Sequence, residues 1–166
     1  MGFYYKQLPD DTYCITGYNG SDKHIDIPTN INITILSDEI FKGHTEIESI
    51  NIPESVKQIG GFLFDGCTGL KSIKLPLHLK DMWQYAMTRT SFKEIEIPGS
   101  VTTIVPFVFN QSKDLKKVLL NEGTQCISGW AFKDCSALRD IYLPESLIDI
   151  HEKAFEGCGP ITLHRV

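Results

Sequence analysis

Long apolar runs, an excess of basic residues and closely spaced cysteine pairs are all missing from this 166-residue sequence. No apolar run approaches the roughly 20 residues that span a bilayer, so we predict no insertion into a membrane. The net charge of −5 argues against a basic face for phosphate backbones, so we predict no nucleic-acid partner. Residues 1–7 lack the apolar segment of a secretory signal.

Residue patterns that support catalysis are missing as well. The five cysteines include no C-x-x-C pair, and the five histidines include no pair spaced i, i+4. The serines lack a G-x-S-x-G turn, and the glycines form no phosphate-binding loop. We therefore predict that the protein is not an enzyme and that it holds no metal ion or other cofactor.

A repeated frame is present instead. Residues 141–158 read I-Y-L-P-E-S-L-I-D-I-H-E-K-A-F-E-G-C, and residues 50–67 read I-N-I-P-E-S-V-K-Q-I-G-G-F-L-F-D-G-C. The proline position recurs at intervals of 25, 23, 22, 23 and 23 residues, at Pro28, Pro53, Pro76, Pro98, Asn121 and Pro144. A large apolar residue follows in each copy, at Phe41, Phe64, Met87, Phe109, Phe132 and Phe155. The short third interval predicts a tightened turn after copy three.

One copy cannot bury its own apolar side chains. In residues 138–143 an alternation of period two places Ile141 and Leu143 inward and Asp140 and Tyr142 outward. Stacking the copies as coils about 4.8 Å apart turns the inward residues into continuous columns, and proline ends each strand. The pattern L-x-x-I-x-L-P-x-x-V-x-x-I-x-x-x-A-F-x-x-C resembles the BspA-type leucine-rich repeat, and its period of about 23 residues lies in the leucine-rich-repeat range.

That resemblance covers the chain from Ile25 to the C-terminus. It implies a mostly β solenoid, a right-handed coil stack of short parallel strands backed by turns and single helical turns. It also implies a cell-surface or secreted protein that takes part in adhesion. We expect one domain, in which residues 1–24 form an N-terminal β-hairpin cap and residues 25–166 form about six leucine-rich-repeat coils.

An aromatic row is the candidate binding site. It lies two residues before the large apolar residue of each copy and contains Phe62, Tyr85, Phe107 and Trp130, with Trp83 close by. These rings either complete the burial of the core or form an aromatic patch that contacts a protein or a glycan. Both interpretations stay open at the level of the sequence.

Charged rows and cysteines also recur in the frame. A basic row contains Lys71, Lys93, Lys116 and Arg139, and an acidic row contains Glu54, Glu122 and Glu145. Such rows keep a sheet soluble or recognise a charged partner.

Cys67, Cys135 and Cys158 occupy the same position of the repeat, three residues after the large apolar residue, where a small buried thiol fits the turn. Cys14 and Cys126 lie outside that column, so we predict that they are exposed and reactive.

The sequence therefore indicates a non-catalytic module that recognises a protein or a glycan. The alternative is a set of structural spacer repeats within a longer surface protein. Residues 161–163 are expected to add a last strand, and no polar capping segment follows them. Either the parent protein continues past Val166 or this end packs against something. We therefore predict end-to-end self-association through the C-terminal coil, or lowered solubility at high protein concentration.

Overall fold

A computed structural model describes residues 2–166 as a β-solenoid of about seven turns. No helix of membrane-spanning length and hydropathy occurs in these residues. The strands are, in chain order, β1 Phe3–Gln7, β2 Tyr13–Tyr18, β3 His24–Asp26, β4 Ile33–Leu36, β5 Ser49–Asn51, β6 Gln58–Ile59, β7 Asp81–Met82, β8 Glu94–Ile97, β9 Thr103–Ile104, β10 Lys117–Leu120, β11 Cys126–Ile127, β12 Asp140–Leu143, β13 Asp149–Ile150 and β14 Thr162–Arg165.

One side of the solenoid, here called the strand side, carries the strand that precedes each proline position. β3 pairs with β5, and β8, β10, β12 and β14 form a four-stranded parallel sheet. Leu120 pairs with Ile97, and Val118 pairs with both Ile95 and Ile141. All five side chains are buried. The prediction that equivalent residues of successive copies stack in register is confirmed for these strands.

A second side, here called the back side, begins with the N-terminal hairpin. The antiparallel strands β1 and β2 start a sheet that continues through β4, β6 and β7, while β9, β11 and β13 form a separate sheet. Phe3 and Tyr18 of the hairpin lie with their ring centroids 6.4 and 5.6 Å from that of the buried Phe41. The hairpin therefore fits the expected cap, and the boundary between residues 24 and 25 stays a prediction.

The third side, here called the turn side, contains no strand in the described part of the chain. Backbone N–H groups of one coil donate to carbonyl groups of the next, from Phe41 to Leu63 at 3.1 Å and from Phe132 to Ala154 at 3.0 Å. The resemblance implied single helical turns here, and the structure has hydrogen-bonded turns instead. Left-handed residues such as Phe62, whose φ is 56°, interrupt each copy, and a right-handed helix cannot pass through them.

The core is one continuous cluster of apolar residues between these three sides. On the turn side the large apolar residues of successive copies stack, and the rings of Phe109 and Phe132 lie 5.1 Å apart with planes within 3°. Phe132 also stacks on Phe155, at 5.6 Å. Phe132 is fully buried, whereas Phe155 in the last complete coil is half-buried. Burial in the column therefore depends on having a coil on both sides.

Strand pairing is interrupted at copy three on the strand side and on the back side. Residues 71–76 form no strand between β5 and β8, and β7 does not pair with β9. The intervening repeat is one residue short, because Pro76 and Pro98 are 22 residues apart. The turn side keeps its hydrogen bonds here, including one of 2.9 Å from the Met87 N–H to the Val108 carbonyl. The shortened repeat thus opens the strand side and the back side, rather than only tightening a turn.

Phe132→Ala should lower the free energy of unfolding by about 3–5 kcal/mol, because it removes a fully buried ring from between two others. Phe155→Ala at the equivalent position is the matched control and should cost less, because that ring is half-buried. Urea unfolding followed by circular dichroism measures both. Equal losses would contradict a column whose burial depends on neighbouring coils.

Candidate functional site

Four of the five candidate aromatic residues form one stack on the turn side, here called the aromatic column. Ring centroids lie 4.7 Å apart for Phe62 and Tyr85, and 5.1 Å apart for Tyr85 and Phe107. Phe107 and Trp130 follow at 5.6 Å, and no interplanar angle in the column exceeds 6°. Coils spaced about 4.8 Å apart bring equivalent rings to a favourable stacking distance.

Every residue of the aromatic column has a left-handed backbone. The φ angles are 56°, 63°, 62° and 60° at Phe62, Tyr85, Phe107 and Trp130. This conformation costs an L-residue about 1–2 kcal/mol, and glycine adopts it without that cost. Each stacked pair contributes about 0.5–1.5 kcal/mol beyond its buried area, which offsets part of the cost. The column therefore stabilises a backbone that its residue types do not favour.

Charged side chains cover both ends of the aromatic column. Lys42 Nζ lies 4.9 Å from the centroid of the Phe62 ring, and Lys153 Nζ lies 5.5 Å from that of the Trp130 ring. The Trp130 indole N–H also donates to Glu156 Oε2 at 3.3 Å. The ring faces are thus covered by each other or by lysines, and the four residues are half-buried. A partner can contact only the edges of these rings.

Trp83, the fifth candidate residue, lies outside the stack. It follows β7 on the back side, and 52% of its surface is exposed. It stands beside a cleft of about 180 Å³ that is also lined by Lys80, Asp81, Met82, Thr102, Thr103 and Val105. The structure therefore divides the predicted site into a stacked column and one exposed indole next to a cleft. The sequence pattern marked Trp83 as close to the row but could not reveal the cleft.

The acidic row contributes to the packing of one coil on the next. Glu54 Oε2 accepts a hydrogen bond from the Leu77 N–H at 2.8 Å. Glu122 Oε2 accepts one from the Glu145 N–H at 3.1 Å. No member of the basic row forms an ion pair within residues 2–166. The acidic row therefore has a structural role that its sequence position did not reveal.

The cysteine column is structural. The Cys67 thiol donates to the Phe41 carbonyl at 2.9 Å, and the Cys135 thiol donates to the Phe109 carbonyl at 3.0 Å. Burial raises the pKa of Cys67 to about 12, so its nucleophilic thiolate is scarce at neutral pH. The prediction that Cys14 is exposed is wrong, because β2 pairs with β4 and buries its side chain.

One serine–histidine pair is visible in the structure and was not predicted from the sequence. His24 Nδ1 lies 2.8 Å from Ser49 Oγ on adjacent strands of the strand side, where both residues are exposed. No third side chain of the described residues hydrogen-bonds His24, so the pair lacks the oriented base of a nucleophilic site. Within residues 2–166, no group of three or more His, Cys, Asp or Glu side chains is arranged to hold a metal ion.

The repeat matches a known family of leucine-rich repeats. The profile of the BspA type leucine-rich repeat region matches residues 34–162 in six copies. The chain belongs to the BspA-type leucine-rich repeat family. The resemblance seen in the repeat frame is thereby confirmed. A comparison with curated proteins gave no significant match.

Solved structures of bacterial proteins, most of them leucine-rich repeat proteins, share the fold. The chain is similar to the leucine-rich repeat protein of T. pallidum, with 24% identity and a TM-score of 0.78 over 98% of this chain and 83% of that one. A leucine-rich repeat protein from Bacteroides ovatus has 27% identity and a TM-score of 0.74 over 98% of this chain and 52% of that one. The pneumococcal vaccine antigen PcpA has 21% identity and a TM-score of 0.70, over 99% of this chain and 48% of that one.

Tyr85→Ala should lower the free energy of unfolding by about 2–4 kcal/mol, because it removes a ring stacked on both faces. Tyr85→Gly should cost about 1 kcal/mol less, because glycine accepts positive φ. Trp83→Ala is the exposed control and should cost at most about 1 kcal/mol. Urea unfolding measures all three, and a harmless Tyr85→Ala would show that the stack has no structural role.

Proposed function

We propose that the protein is a non-catalytic recognition module of a cell-surface or secreted protein that takes part in adhesion. The observation that carries the proposal is the aromatic surface made by the aromatic column together with Trp83. The ring edges of the column lie along four consecutive coils, and the exposed Trp83 indole belongs to the third coil on the back side. Exposed aromatic area on a folded domain marks a contact site. Tryptophan and tyrosine are also the residues that most often dominate binding energy. The family supports both the absence of catalysis and the surface setting.

The aromatic column is ordered before any partner arrives. Its rings are held by their neighbours at 4.7 to 5.6 Å, so binding removes little side-chain freedom. Three coil spacings of about 4.8 Å give the ring edges a length of roughly 15 Å. Lys42 and Lys153 supply a polar rim at the two ends. This surface suits a patch of a folded protein or a short stretch of glycan.

Binding to panels of extracellular-matrix proteins and glycans should weaken at least tenfold on Trp83→Ala, because this change removes the one exposed indole of the aromatic surface. Tyr4→Ala in the hairpin is the matched control, since Tyr4 is 56% exposed and distant in sequence from the column. Surface plasmon resonance with the whole chain measures both variants. Equal effects of the two changes would show that the aromatic surface is not the contact site.

Structural spacer repeats remain the second candidate function. The Bacteroides ovatus and pneumococcal proteins are about twice as long as the part this chain covers, 52% and 48% of their lengths. Coils of a long solenoid can hold a binding face elsewhere at a set distance. If the whole chain binds no matrix protein and no glycan, the spacer role is favoured. Saturable binding that depends on Trp83 favours the recognition role.

We also propose end-to-end association of two copies through the C-terminal coil. One edge of β14 is unpaired within the described residues, and Leu163 and Val166 are 47% and 67% exposed. Arg165 pairs in register with the inward-facing Leu143 and so opposes a regular continuation of the stack. Association through this edge is therefore expected to be weak.

Light scattering over a range of protein concentrations should show a reversible dimer, and Leu163→Lys should shift its formation to at least tenfold higher concentration. Lysine adds charge at an exposed sheet edge, which disfavours edge pairing. Tyr4→Lys at the opposite end of the chain is the control. A mass that stays monomeric at millimolar protein would remove this proposal.

A further inference from the structure

We propose that the cleft beside Trp83 binds the terminal pyranose residue of a neutral glycan. This inference rests on the proposed recognition function and names a ligand class for one part of the aromatic surface. Four observations support it. The hydrogen-bond ladder is interrupted, an open cavity lies at the interruption, an indole stands on the rim of that cavity, and its lining includes unpaired hydrogen-bond donors and acceptors.

The ladder on the back side is regular at every coil junction but one. At each regular junction a backbone N–H of one coil donates to a backbone carbonyl of the preceding coil at 2.8 Å. The donor and acceptor residues are Lys57 and Thr34, Lys80 and Lys57, Gln125 and Thr102, and Ile148 and Gln125. A second series runs at 2.8 to 3.0 Å from Gly60 to Leu36, Trp83 to Ile59, Ser128 to Ile104 and His151 to Ile127. Between copies three and four, the equivalent bonds from Thr102 to Lys80 and from Val105 to Met82 are missing among residues 2–166.

Unpaired backbone groups therefore line this junction. The equivalent carbonyls of the preceding coil, those of Lys57 and Ile59, accept hydrogen bonds from the next coil. The Lys80 and Met82 carbonyls and the Thr102 and Val105 N–H groups have no backbone partner among residues 2–166. All four residues line the cleft of about 180 Å³. Met82 is buried and Val105 is half-buried, whereas Lys80 and Thr102 are exposed. Buried or partly buried backbone groups are costly to leave unpaired, so the Met82 carbonyl and the Val105 N–H favour a ligand that both donates and accepts hydrogen bonds.

A sugar ring matches this lining. Each hydroxyl group donates and accepts a hydrogen bond, so it can satisfy both carbonyl and N–H groups. The C–H face of a pyranose is apolar and packs against an aromatic ring such as the Trp83 indole, which is 52% exposed at the rim. Thr103 adds a further hydroxyl group to the lining.

Charge and volume narrow the ligand class. Lys80 and Asp81 contribute one charge of each sign, and neither forms an ion pair within the described residues, so the cleft favours a neutral ligand. Drug-sized ligands occupy pockets of about 300–1,000 Å³. A cavity of about 180 Å³ suits one sugar ring. A single ring makes few contacts, so its dissociation constant should be on the order of 1 mM.

Titration of the whole ¹⁵N-labelled chain with the methyl pyranosides of glucose, galactose, mannose and N-acetylglucosamine tests the inference. At least one glycoside should produce saturable shifts of the Trp83 indole signal and of the Thr102 and Val105 amide signals. Trp83→Ala should weaken this binding at least tenfold. Thr103→Phe should also abolish it, because the larger side chain fills the cleft while the indole remains. Tyr4→Ala is the control and should bind as the parent chain does.

The outcomes separate this inference from the proposed function. Shifts that do not saturate at roughly 100 mM glycoside, or that persist in both cleft variants, overturn the pyranose site. If the glycosides fail while Trp83→Ala still weakens binding to a matrix protein, the proposed function stands without the pyranose site. If a glycoside binds and Trp83→Ala leaves every macromolecular interaction unchanged, the pyranose site stands and the proposed aromatic contact fails.

Discussion

Contact between successive coils at a nearly constant spacing is the constraint on which the rest of this structure depends. A single copy has too few apolar residues to enclose them, so burial comes from the coils above and below. The same spacing of about 4.8 Å aligns strand hydrogen bonds, buried phenylalanine rings and the aromatic column. It also places each Cys67-type thiol against a carbonyl of the preceding coil. One distance thus organises side chains of very different chemistry.

The turn side shows how this constraint overrides local preference. Phe62, Tyr85, Phe107 and Trp130 all have φ near 60°, where glycine would be favoured. Stacking on equivalent rings and hydrogen bonds to the next coil hold them in place. The same arrangement covers the ring faces and leaves only their edges exposed. The two interpretations of the aromatic row are therefore not exclusive, because the stack stabilises the coils and its edges can still contact a partner.

We expect a ligand site where the repeat departs from its usual interval of 23 residues. The interval of 22 residues between Pro76 and Pro98 leaves the turn side intact and interrupts the ladders elsewhere. Trp83 lies at that interruption, at a position held by Gly60 in the preceding coil and Val105 in the next. On the back side, the regular junctions pair these backbone groups with each other. The irregular junction has both an opening and free polar groups.

The sequence by itself determined the repeat, the register of the stacked columns and the identity of the residues that face inward, because burial forces a period on any array of short coils. It also identified the aromatic row, since equivalent positions must stack. Only the tertiary structure decided that Cys14 is buried, that Glu54 and Glu122 bind the next coil, and that Trp83 borders a cleft. The burial of Cys14 depends on how the hairpin docks, the glutamate contacts depend on side-chain conformation at the coil junctions, and the cleft depends on a difference of one residue between two coils. Such contacts join chain segments whose relative placement no local pattern encodes.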